Sequence, residues 1–191
     1  EGEREIYASD GSGVTAAILV RGITMCPDLK YRVIGFKDFV GNSRMPYDDC
    51  GHGTHVAGCL CGDGTCSQGR FAGVAAGCRV LAGKVLDEKG DGTISGMIRG
   101  IDWVLKNREL YQVKILNISV SMGKDPAGKN ISSGMAEKET LFHKLIATLE
   151  EAWEEGLVVV VAAGNAGPAA GSLERLGTGK RVGTGGAHEG R

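Results

Sequence analysis

The sequence predicts an α/β fold, a parallel β-sheet with helices on both faces, incomplete at its carboxyl end. Two observations carry this. Short apolar runs with little alternation recur at 14–20, 79–85, 113–119 and 157–163, as expected of strands buried on both faces. Helical patterns lie between them: Ile94, Met97, Ile98, Ile101, Val104 and Leu105 share one face, as do Leu141, Leu145, Leu149 and Trp153. Strand and helix in alternation predict right-handed βαβ crossovers, which place a site at the carboxyl ends of the strands.

The remaining stretches fit around that frame. Residues 123–139 are polar and rich in Gly, Lys and Ser, which reads as a surface loop leading into the long helix. The last fifteen residues, 177–191, look like a strand position diluted by glycine, which weakens a strand interior. No repeat or linker divides the chain, so 1–191 is expected to be a single domain.

Composition narrows the function classes. With 42% hydrophobic residues, 24% charged residues and a net charge of -1, the chain has ordinary globular composition, and neither nucleic acid nor a membrane is an expected partner. Its longest apolar run, 157–163, is far short of the roughly 20 residues a spanning helix needs. The start Glu-Gly-Glu-Arg-Glu is the opposite of a basic signal-peptide start, so a soluble protein is expected. The 32 glycines are more than twice average usage of about 7% and suit glycine-lined catalytic loops. Cys26, Cys50, Cys59, Cys61, Cys66 and Cys78 lack Cys-x-x-Cys spacing, which argues against a zinc ribbon. Reduced thiols are the preferred reading and mildly favour a reducing cytoplasm.

Two motifs carry chemistry. In Asp48-Asp-Cys-Gly-His-Gly-Thr-His-Val-Ala-Gly58, glycines flank His52 and a second histidine, His55, follows three residues on. A histidine at the mouth of a helix can act as general base if a nucleophile and an orienting acid converge on it; the plain alternative makes both histidines turn and cap residues. In Val158-Val-Val-Val-Ala-Ala-Gly-Asn-Ala-Gly-Pro168 a buried strand runs into Asn165. Its side-chain N–H could meet a developing oxyanion; the alternative is a left-handed turn, which Asn also suits.

In this order the motifs resemble the subtilisin-like serine proteases, the subtilase family, over about 11–191. The segment 13–19 looks like the family's first core strand, and Pro27-Asp-Leu29 like the stretch after its aspartate loop. Gly51-His-Gly-Thr-His-Val-Ala-Gly58 is similar to the histidine motif, and Ala162-Ala-Gly-Asn165 to the oxyanion motif. Gly73-Val-Ala75 and Lys84-Val-Leu86 match the blocks between. The resemblance implies a serine endopeptidase acting by acyl transfer, with His52 as general base and Asn165 as oxyanion-hole donor. It implies that Gly90, Asp91 and Gly92, with Ser119, Val120 and Ser121, form two strand-like walls. An extended peptide or protein substrate would add between them by main-chain pairing. No cofactor is expected, although the resemblance leaves calcium open without an assignable site.

Departures from the family pattern are specific. The first strand should end Asp-Thr/Ser-Gly-Ile but reads Val20-Arg-Gly-Ile23, so Val20 holds the aspartate position. Asp28, Asp48 and Asp49 are near in sequence, but none falls at the strand end. No Gly-Thr-Ser-Met-Ala segment, the source of the nucleophilic serine, follows Asn165. Ile131-Ser-Ser-Gly-Met-Ala136 is superficially similar but precedes Asn165 and lacks Gly-Thr. Cys26 stands where a histidine often precedes Pro-Asp-Leu, Ser121 where glycine usually lines the cleft, and 182–186 reads Val-Gly-Thr-Gly-Gly. A chain inactive as it stands is therefore expected.

A non-catalytic peptide-binding remnant would keep the walls without chemistry. A nucleotide-binding doubly wound domain lacks Gly-x-Gly-x-x-Gly after its first strand. Cys50, two residues before His52, could be a cleft thiol with enhanced thiolate character, but a semi-buried structural role is preferred, and more so for Cys59, Cys61 and Cys66. Asn117-Ile-Ser119 and Asn130-Ile-Ser132 fit the glycosylation pattern, although the first lies in an expected core strand.

Overall fold

The computed structural model describes residues 9–120, 134–164, 175–178 and 181–185, with the backbone alone at 134–136, 175 and 178. Six strands pair in parallel: β1 (Thr15–Val20), β2 (Val33–Asp38), β3 (Arg79–Lys84), β4 (Val113–Ile118), β5 (Val158–Ala162) and β6 (Gly183–Gly185). Helices α1 (His52–Cys61), α2 (Ile94–Tyr111) and α3 (Gly134–Glu154) connect them, with short 3-10 turns between. The fold class matches the expectation.

Sheet order is β2-β3-β1-β4-β5-β6. The chain leaves β1 toward one edge through β2 and β3, then crosses to the other side through β4. The crevice at the carboxyl ends of β1 and β4 is thus the topological switch point, where open α/β sheets place their sites.

β1 divides two cores. Ala17 and Leu19 face a cluster with Ile101, Val104 and Leu105 of α2 and Leu145 and Leu149 of α3. Ala16, Ile18 and Val20 face the other way, onto Ala57 and Cys61 of α1. β1 is therefore buried at every position, and β3 at all but its first. The outer strands depart from the expected burial on both faces: β4 and β5 alternate, and Val158 is 53% exposed. α1 packs on β1 and β3, and among the described residues nothing comparable covers that face of β4 and β5.

Three further corrections concern elements. The apolar stripe of α3 is Phe142, Leu145, Leu149 and Ala152, whereas Leu141 is half-buried and Trp153 exposed. Spacing of 4-4-4 drifts about 40° per step around a helix of 3.6 residues per turn; 3-4-3 spacing stays on one side. The expected loop 123–139 ends early, because 134–139 are helical and 121–133 lie outside the described residues. β2 has no counterpart among the expected strands: among the described residues it pairs only with β3, its register shifts between Val33 and Gly35, and most of it is half-buried, so it carries no clean pattern.

Helix ends follow local chemistry. α2 starts at Thr93, whose hydroxyl accepts from Gly96 N–H at 2.9 Å. It stops at Gln112, in the left-handed region at φ 53°, a position usually given to glycine. The glycine-diluted segment does form a strand, with Gly183 beside Val160.

Candidate active site

The site grows from the carboxyl end of β1 and the first turn of α1. Gly51, at φ 81°, precedes His52, the first residue of the helix. The next residue must be glycine: a methyl at Gly53 would overlap the Gly22 carbonyl and lie 2.8 Å from Val20 Cγ2. This close approach fixes the histidine loop against the strand that ends at Val20.

Asp48 holds the turn from outside the helix. Its carboxylate accepts from Gly51 N–H at 2.9 Å, Thr54 N–H at 2.8 Å, Thr54 Oγ1 at 2.6 Å and Cys50 N–H at 3.2 Å. Burial pushes this carboxyl up, but the Thr54 hydroxyl and the three amides outweigh it and hold the group below its ordinary value. Negative charge also complements the helix N-terminus there.

Asp49 turns the other way, 2.6 Å from Nζ of Lys84, whose side chain is only 1% exposed. Lys84 also donates to the Arg21 carbonyl and lies over the Tyr47 ring, 4.8 Å from its centroid. Lys84 is next to Val20 in the β1–β3 register, so this buried pair ties the strand ends to the loop before His52. A lone lysine closing an apolar strand was the available sequence signal, but it names no partner.

His52 is exposed and makes no hydrogen bond with a described side chain. Val20, wholly buried, presents methyl groups toward the turn that carries it. None of the nearby aspartates substitutes: Asp28 accepts from Cys66 N–H at 2.7 Å, Asp48 caps α1, and Asp49 pairs with Lys84. Among the described residues no acceptor fixes the tautomer of the His52 imidazole.

The expected walls are unequal. Gly90, Asp91 and Gly92 lie in a turn rather than a strand, closed by Asp87 N–H to Asp91 O at 2.9 Å and Asp91 N–H to Asp87 Oδ1 at 2.8 Å. Ser119 and Val120 continue from β4; Val120 is buried in the core, so only its backbone can face a ligand. Asn117 donates to Ser119 Oγ at 2.7 Å, which engages the amide of the first glycosylation pattern. Ser121, Asn130 and Asn165 lie outside the described residues.

The cysteines correct one expectation. Cys61 and Cys78 are buried, and burial pushes the Cys61 thiol up to about 12. Cys50, Cys59 and Cys66 are exposed rather than semi-buried, because they sit on turns and on the outward face of α1. Cys59 Sγ is 3.7 Å from His55 Nε2, and Cys50 Sγ accepts from Arg21 Nη1 at 3.7 Å. Among the described residues no three His, Cys, Asp or Glu side chains gather as a metal site. No described helix is long and apolar enough to cross a membrane.

Comparison with known proteins decides the ancestry. The family model described as Subtilase family matches residues 11–184. The chain belongs to the subtilase family. This subtilase is 39% identical over 178 residues to Serine protease AprX of Bacillus subtilis, covering 93% of the chain and 38% of AprX. It is 36% identical over 160 residues to Thermitase of Thermoactinomyces vulgaris, covering 83% of the chain and 50% of Thermitase. Among solved structures it resembles the S41 Psychrophilic Protease, with TM-score 0.71 and 27% identity over 92% of the chain and 53% of that protein. It also resembles Sphericase, with TM-score 0.70 and 29% identity over 91% of the chain and 53% of that protein. The subtilase chain thus spans about half or less of the length of these relatives.

Proposed function

We propose that these residues build the peptide-binding part of a subtilisin-type serine endopeptidase site, and that the site as it stands holds an extended peptide without cleaving it. The observation that carries the reading is Val20: wholly buried at the end of β1, packed against Gly53, with no described carboxylate bonded to His52. In the family's acyl transfer, His52 would take the nucleophile's proton, and Asn165 would donate to the oxyanion. The orienting acid accepts the imidazole's other N–H and stabilises the imidazolium; a valine does neither. In subtilisin the loss of that acid alone costs about 10⁴-fold in turnover.

Peptide binding needs none of these groups. It draws on main-chain pairing with the turn at Gly90, Asp91 and Gly92 and with the extension at Ser119, Val120 and Ser121, which gives affinity without demanding one sequence. Family membership supports a peptide or protein partner. Incubation of the purified chain with a fluorogenic peptide and, separately, with a serine-directed phosphonate tests the reading. Neither turnover nor covalent labelling is expected, and stoichiometric labelling accompanied by turnover would overturn it.

A further inference from the structure

Arg21 follows Val20 directly, and its surroundings are unusual for a cation. Its carbonyl is held by Lys84 Nζ, which pins the backbone. Its guanidinium reaches the corner between the His52 loop and the 90–92 turn: a methyl built at Gly90 would lie 2.6 Å from Arg21 Cζ and 3.0 Å from Nε. Among the described residues its one side-chain hydrogen bond is the long contact to Cys50 Sγ at 3.7 Å, a weak acceptor.

No described carboxylate forms an ion pair with it, neither the exposed Glu88 of the same turn nor the four nearby aspartates. Asp48 caps α1, Asp49 pairs with Lys84, and Asp87 accepts the amides of Lys89 at 2.9 Å and Asp91 at 2.8 Å. Asp91, exposed on the same turn, forms no ion pair with Arg21. Arg21 is half-buried, so water screens it less than a surface arginine. A guanidinium with most of its five donors unused is built to take a carboxylate bidentately.

We infer that Arg21 makes this corner of the cleft a receptor for an acidic side chain of the bound peptide. A peptide with Asp or Glu at the residue seated between Gly90 and the His52 loop is preferred over its neutral isostere. The inference rests on the peptide-binding reading above and adds the substrate class. Lys84 is consumed by Asp49, and the 90–92 and 119–120 segments carry no Lys or Arg; Lys89, exposed beside Gly90, is a second cation of that turn, and Arg21→Gln, which leaves Lys89 in place, separates the two.

The test is fluorescence anisotropy with labelled peptides in which one Asp is walked through an otherwise neutral sequence, each compared with the Asn peptide at the same position. One position is expected to bind about five- to tenfold tighter with Asp than with Asn at low salt. That preference is expected to vanish in Arg21→Gln, to turn toward Lys in Arg21→Glu, and to persist in Arg21→Lys and Cys50→Ser, with circular-dichroism melting confirming that each variant folds. Peptides that bind equally with Asp and Asn at every position would overturn the role of Arg21 while leaving peptide binding standing, as would a preference that survives Arg21→Gln. Failure of every peptide to bind, whatever its charge, would overturn the peptide-binding reading and this inference with it.

Discussion

Val20 fills its place as a core residue does. It is fully buried among Ile18, Ile23 and Ala57, and with the Gly22 carbonyl its Cγ2 leaves no room for a side chain at Gly53. The position that should orient a catalytic imidazole has become part of the packing that holds α1. Asp48 makes the polar contacts of the same turn, and its substitution bears on stability. Its folded carboxyl lies below its ordinary value, which is about 3.9 in an unfolded chain. The linkage sign follows: its contribution is present above that value and fades as pH falls through the lower folded one. Asp48→Ala is expected to cost about 1–2 kcal/mol at pH 7, as the loss of a helix cap does, and distinctly less at pH 2. Urea midpoints at both pH values check this, and an equal cost at both would contradict it. Asp38 follows the same direction: burial pushes it up, but the amides of Val40, Gly41 and Ser43 and the Tyr47 hydroxyl outweigh that. Acid destabilisation is therefore not confined to Asp48, and Asp10, Asp63 and Asp87 shift in the same direction.

Elements were legible in proportion to how completely they are enclosed. β1 and β3, buried almost throughout, read directly as apolar runs. β2, an edge strand interrupted by Gly35, leaves no period to read, and the stripe of α3 holds at Leu145 and Leu149 but differs by one residue at each end, because four-residue steps drift where the helix alternates three and four. α2 was placed correctly, since its apolar positions follow that mixed spacing. Its end carries a local cost that the sequence conceals: Gln112 adopts the left-handed conformation, where a Cβ is unfavourable. Gln112→Gly is expected to stabilise the chain by about 0.5–1 kcal/mol, the relief of that strain less glycine's greater freedom when unfolded. A thermal midpoint that fails to rise would contradict this assignment of strain.

At the scale of the whole molecule, the sequence carried the order of blocks, and with it the family, because a parallel sheet places its chemistry at strand ends in a fixed succession. It could not carry the contacts that decide what the site can do. Lys84 meets Asp49 across 35 residues, and Arg21 meets Gly90 only because β1 and β3 lie side by side. No local pattern encodes either pairing. Residue 20 was legible as a departure; the absence of a rescuing carboxylate was not, since it required knowing where Asp28, Asp48 and Asp49 point. The central claim is binding without hydrolysis. It is tested most directly by titrating the purified chain against a labelled extended peptide and weighing the peptide by mass spectrometry after prolonged incubation. Saturable binding with the peptide recovered intact is the expected result; cleavage products growing in proportion to chain concentration would contradict it.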